Sequence, residues 1–278
     1  LGLTFGLLSS ALWLVATLYS SGYVRGDRHM KNRTRYFAFF AASVGAALGI
    51  AFSANLLTFL IFYETLTLAT YPLVAHKETP EALAGARRYL VFALSAGLVL
   101  TAAVAWTWML TGTLDFVPGG FLGGQPARML APLFLLFIVG VGVKAAVMPL
   151  HSWLPAAMVA PTPVSALLHA VAVVKAGVFG VIRVMGYVFG PEAFADFSGN
   201  RILLGFSAAT IVLGSLIALR QDNLKRRLAF STVVHLNYIV LGAAQGDDCL
   251  YLAALLGAGL LTASYLLPVV GVAFFGKP

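Results

Sequence analysis

The chain is short of charge. Its 278 residues include 18 Lys and Arg but only 10 Asp and Glu, and charged residues make up 10% of the whole, against roughly 25% in soluble domains. That excludes the polar surface of a water-soluble domain. The net charge of +8 does not make it a nucleic-acid-binding module, because the basic residues lie scattered between apolar runs instead of forming one basic face. A single cysteine, Cys249, excludes a disulfide framework and any thiolate-based zinc or iron–sulfur centre supplied by this chain alone. No phosphate loop, dinucleotide fingerprint, His-x-x-x-His pair or nucleophile–base constellation occurs. The chain therefore offers no catalytic chemistry, metal site or cofactor site of its own. The opening LGLTFGLLSSALWLVATLYS lacks an initiating Met and a positive segment before its apolar stretch, so it reads as an internal helix and not as a cleaved signal peptide.

Hydrophobic residues make up 60% of the sequence. A membrane-spanning helix needs about 20 apolar residues, and the apolar runs predict an all-α bundle of about nine such helices, at roughly 1–20, 36–53, 55–75, 83–111, 129–150, 163–188, 201–220, 227–245 and 250–275. Residues 36–76 are too long for one span and read as a hairpin turning near Ser53, Ala54 and Asn55. The segment PLHSWLPAAMVAPTP, from Pro149 to Pro163, cannot be a continuous helix, because each proline removes a backbone donor and clashes with the preceding turn. Such a broken segment survives in a bilayer only when buried in protein or lining a water-filled cavity. One integral membrane domain, 1–278, is expected, as a fragment or shortened version of a longer subunit.

Alternating loops hold Arg25, Arg28, Lys31, Arg33 and Arg35, then Lys77, Arg87 and Arg88, then Arg220, Lys225, Arg226 and Arg227, with Lys277 at the end. The opposite loops carry only Arg128 and Arg201 beside Asp115, Glu192, Asp196, Asp247 and Asp248. The positive-inside rule assigns the basic loops to the cytoplasm. This is the pattern of a multi-pass integral membrane protein, with a bacterial or archaeal plasma membrane as the expected location.

Ionisable groups inside the spans are costly, roughly 2.5–3.5 kcal/mol at a helix centre, and they normally face a cavity or a partner. Glu64, Lys144, His169, Lys175 and His235 all fall within apolar runs, and together they outline a polar path. Each also has a plainer reading. Glu64 and Lys144 can form a static buried ion pair. His169 serves equally as a satisfied structural histidine, and His235, Ser231 and Thr232 as interhelical hydrogen-bonding groups. His169 and Lys175 are six residues apart, about 240° around an ideal helix, and share a face only if the helix is distorted. Arg183, near a helix end, is expected to snorkel outward. His151 and Trp153 suit a water-lined opening or an interfacial anchor. Lys225, in DNLKRRLAFST, is a topology signal or a proton entrance.

FYETLTLATYPLVAH, VKAAVMPLHSWLPAAMVAPTPVSALLHAVAVVKAGVFGVIR and RQDNLKRRLAFST together resemble the antiporter-like membrane subunits shared by respiratory complex I, membrane-bound hydrogenases and Mrp-type cation/proton antiporters. The resemblance covers about residues 1–245. It implies that Glu64 is a coupling carboxylate, Lys144 the lysine of the broken helix, Lys175 the lysine of the next helix with His169 as its neighbour, and Lys225 a loop lysine. It implies a cytoplasmic proton half-channel gated by a Glu–Lys pair. The implied partners are other antiporter-like and small membrane subunits, a peripheral redox arm in some members, and protons or sodium as transported ions. Beyond residue 245 the sequence departs from the family pattern: QGDDCLYLAALLGAG runs straight into LLTASYLLPVVGVAFFGKP, where two further helices with ionisable residues are expected. The rival reading is a non-conducting structural scaffold of such a complex.

Overall fold

A computed structural model describes residues 1–27 and 30–245; the expected ninth span, 250–275, lies outside the described residues. Helices make up most of this range, and no strand occurs among the described residues. Helices α1 (Gly2–Gly26), α2 (Arg33–Ala51), α3 (Leu56–Val74) and α4 (Pro80–Thr111) come first. They are followed by α5 (Ala127–Gly142), an irregular stretch, and α6 (Thr162–Phe189). The short α7 (Gly190–Asp196), then α8 (Gly199–Leu219) and α9 (Leu224–Gln245) complete the described chain. Seven of these are long and apolar enough to cross a membrane, and α5 is a shorter apolar helix of 16 residues.

The turns form where local chemistry requires them. The α2–α3 hairpin reverses over 52–55, and the Asn55 side chain caps α3 by accepting from the Thr58 amide at 2.8 Å, satisfying a donor that the first helical turn cannot. Thr79 caps α4 in the same way, accepting from Ala82 at 3.2 Å, with Pro80 in the first turn where its missing N–H costs nothing. Helix α4 ends at Gly112, whose φ of +67° is the left-handed stop that glycine adopts freely. The 112–126 connection folds back on the hairpin, with Leu56 donating to Leu114 and Phe116 to Ala54.

At the centre, α6 packs against α1, α2, α3, α5 and α9, while α8 and α9 form a second hairpin. Tyr63, Tyr89, Phe137 and Trp153 are fully buried there. The outer faces of α1 (Leu3, Leu7, Leu14, Leu18) and α8 (Ile202, Phe206, Leu213, Leu216) expose large apolar side chains at helical spacing, a surface suited to hydrocarbon.

Two features differ from the sequence-based expectation. The helix expected over 129–150 stops at Gly142, so the break runs from Val143 to Pro161 and includes Lys144. Pro149 forbids a helix through Ala145, four residues earlier, and Ala146 turns the chain with a left-handed φ of +55°; the helix ends earlier still, about two turns before the proline. Within the break lie a helical turn at Trp153–Ala156 and a 3₁₀ turn at Ala157–Val159. Helix α6 is also not uniform. It contains π-helical segments at Leu167–Val171 and Met185–Phe189, inserted where helices most often bulge at working sites.

On the basic-loop side the α3–α4 turn is fastened across the bundle. Arg35 of α2 pairs with Glu78 at 2.6 Å, and Glu78 holds a left-handed φ of +55°. His76 is buried beneath, edge-on to Tyr36 with ring centroids 5.2 Å apart. Burial and the Arg35 charge hold the His76 imidazole below its ordinary value of 6.5, against a smaller opposing pull from Glu78 and a Lys31 backbone bond. The depressed value means that unfolded chain takes up a proton first. The turn's contribution to stability is therefore complete above pH 6.5 and declines as pH falls toward the lower folded value. Hydrogen exchange of residues 75–79 is expected to accelerate between pH 7.5 and 5.5, after correction for intrinsic exchange, and His76→Phe to abolish that acceleration.

Candidate functional site

The site begins with the end of α5. A helix C-terminus leaves carbonyls without intrahelical donors and carries partial negative charge. Here buried side chains claim them: the Tyr63 hydroxyl donates toward Gly140 and Val141 at 3.4 and 3.3 Å, and Trp153 Nε1 donates to Val143 at 2.7 Å. Lys144 follows directly, with 0% exposure. Its Nζ donates to the backbone carbonyl of Tyr63 and sits 3.4 Å from the centroid of the Tyr63 ring. A buried ammonium thus has a carbonyl and an aromatic face as first neighbours, both attractive to positive charge.

Glu64 is next in sequence to Tyr63 but projects from another side of α3. Its carboxylate lies against α4, where Gly97 has no side chain; a Cβ there would occupy the carboxylate's place. Oε1 is buried without a hydrogen-bond partner. Glu64 and Lys144 act on each other's charge but are not in salt-bridge contact. The static ion pair that sequence allows is not the arrangement found.

Helix α6 crosses the break at Gly177, where an added Cβ would overlap the backbone of Lys144 and Ala145. Lys175, two residues before this crossing, lies within electrostatic reach of His235 on α9. His235 Nδ1 meets the Ser231 carbonyl at 2.7 Å and its hydroxyl at 3.2 Å. His169 falls inside the π-helical segment Leu167–Val171, with both ring nitrogens buried and without hydrogen-bond partners. Lys225, in the first turn of α9, donates to Ala160 at 3.2 Å and so ties that helix to the end of the break. His151 lies beside Phe230, ring centroids 5.9 Å apart.

Arg183 does not snorkel freely outward. Its guanidinium lies 4.6, 5.2 and 5.0 Å from the ring centroids of Phe116, Phe179 and Tyr187, and Nη2 approaches Ala51 O at 3.5 Å. Aromatic faces compensate the charge where it stands. The parts played by Tyr63, Gly97, Gly177 and this ring cage are not evident from sequence. Only the position of Tyr63, immediately before a buried acid, carries a signal.

Comparison with known proteins gives the same class. Residues 53–273 match the family model described as NADH:quinone oxidoreductase/Mrp antiporter, transmembrane, and the chain belongs to that family. It is 31% identical over 258 residues to a Na(+)/H(+) antiporter subunit of Alkalihalophilus pseudofirmus, covering 90% of this chain and 31% of that protein. To an NADH-quinone oxidoreductase subunit of Desulforudis audaxviator it is 34% identical over 268 residues, covering 94% and 51%. One chain of the Mrp complex from a Dietzia species superposes with a TM-score of 0.81 at 28% identity, over 91% of this chain and 27% of that one. The chain thus spans between about a quarter and a half of the relatives it matches.

The two glycines support separable tests. Gly177 faces backbone, which cannot yield cheaply, whereas Gly97 faces the end of a flexible side chain. Gly177→Ala should destabilise the fold by about 1–3 kcal/mol. Gly97→Ala should cost less, because the Glu64 carboxylate can swing aside and alanine regains up to about 1 kcal/mol of helix propensity. Denaturation of both variants in detergent checks the contrast.

Proposed function

We propose that this chain is a proton-translocating, antiporter-like subunit of a multi-subunit membrane complex, of the Mrp type or of the hydrogenase and complex I type. Lys144 is the central carrier. The observation that supports this most strongly is the seating of Lys144, wholly buried at a helix break and within electrostatic reach of a carboxylate it does not touch.

In this reading the proton enters from the basic side near Lys225, which is bonded to Ala160 at the mouth of the break. His235, Lys175 and His169 relay it toward Lys144 along α6 and α9. Glu64 gates the step: when its charge is available to Lys144 the amine holds its proton, and when Glu64 moves or is neutralised the proton is released. One elementary charge crossing 100 mV exchanges about 2.3 kcal/mol with the field, within the range of a single buried charge rearrangement. Other antiporter-like and small membrane subunits would complete the outward path, and the transported ion is a proton, alone or in exchange for sodium.

The test is ion flux in the assembled complex, reconstituted in vesicles with a pH-sensitive dye. Lys144→Ala should abolish coupled proton movement, by at least tenfold, while assembly remains intact, and Glu64→Gln should slow it by a smaller factor. Normal flux in a correctly assembled Lys144→Ala complex contradicts the assignment and leaves a non-conducting scaffold.

A further inference from the structure

We propose that Tyr63 is a positioning residue for Lys144. It supplies a seat that holds the charged amine apart from Glu64 without neutralising either group. The inference rests on the transport reading above, and it assigns one more residue to it.

Three parts of Tyr63 converge on the same place. The face of the ring lies under Nζ at 3.4 Å from its centroid, and the backbone carbonyl accepts from the same amine. The hydroxyl reaches past it to the carbonyls of Gly140 and Val141, pinning the helix end from which Lys144 emerges. The side chain is itself held: it is fully buried and stacks on Phe59 with centroids 5.3 Å apart and planes at 26°. Thr67 Oγ1 also donates to the Tyr63 carbonyl, at 3.3 Å, so that oxygen serves two side chains.

The seat changes the relation between Glu64 and Lys144. An ammonium in a low-dielectric interior would collapse onto the nearest carboxylate unless another site compensated its charge. The ring and carbonyl of Tyr63 are that other site. A desolvated cation–π contact is of the same order as the difference between a contact ion pair and a separated one, so the amine rests on the ring while Glu64 remains on Gly97. Lys144 can then answer a change at Glu64 without first breaking a direct salt bridge.

The ring, not the hydroxyl, carries this role, and the pH profile of flux through the reconstituted complex separates the two. Tyr63→Phe keeps the aromatic face and should leave the pH of half-maximal flux in place. Tyr63→Leu removes the face that favours the charged amine and should move that pH acidward by about one to two units. Site-specific fluorinated phenylalanines at position 63 keep the shape while draining negative charge from the ring. They should shift the profile progressively with each fluorine, which preserves the test if the Leu variant fails to assemble. Equal shifts in Phe and Leu, coincident profiles in all variants, or the absence of any gradation with fluorination overturn the proposal. Flux that survives Lys144→Ala overturns the transport reading itself; loss of flux there with unmoved Tyr63 profiles overturns only the role of Tyr63.

Discussion

An ammonium group buried among apolar helices is expensive to hold, and much of this structure is arranged around Lys144. Water is replaced there by the backbone carbonyl of Tyr63 on α3 and by the face of the Tyr63 ring. The chain leaves the helix after Gly142, about two turns ahead of Pro149, and the Tyr63 hydroxyl claims the carbonyls at that end. Trp153 takes the Val143 carbonyl and packs on Tyr89, ring centroids 5.1 Å apart, so α4 is also fixed to the break.

The close approaches follow from the same requirement. Lys144 can be shielded only if neighbouring helices come near the broken backbone, and Gly177 lets α6 do so. Gly97 performs the complementary task for Glu64 by leaving room on α4 for a carboxylate. The result is a carboxyl group and an amine set on different supports, near enough to influence each other and not joined by a salt bridge. Around them, the π-helical segment at Leu167–Val171 brings His169 into the interior, and Lys225 ties α9 to the far end of the break.

Much of the architecture is legible in the sequence because membrane physics leaves few alternatives. Apolar runs of the right length locate the eight apolar helices of the described region, and the basic loops fix their alternation. The proline cluster announces a break, and rarity of charge singles out Glu64, Lys144 and Lys175. The onset of the break at Val143 is not legible, since it depends on where Tyr63 and Trp153 claim carbonyls from other elements. The π segments leave no trace either, because a one-residue helical insertion hardly disturbs an apolar run. Arg183 reads from sequence as free to reach outward, yet Phe116, 67 residues earlier in the sequence, supplies one of the rings that hold it. The glycine contacts depend on helix crossings, which residue identity alone does not set.

The central claim is that Glu64 and Lys144 form one electrostatic unit without a direct salt bridge. Infrared difference spectroscopy of the assembled complex across pH, with the Glu64 band assigned by Glu64→Gln, tests it most directly by following the Glu64 carboxylate in wild type and in Lys144→Met. The account predicts that removing the amine moves the midpoint of the Glu64 titration. In wild type, the carboxylate stretches should also lack the splitting of a carboxylate bonded directly to an ammonium. An unmoved midpoint, or the spectrum of a directly bonded pair in wild type, would contradict it.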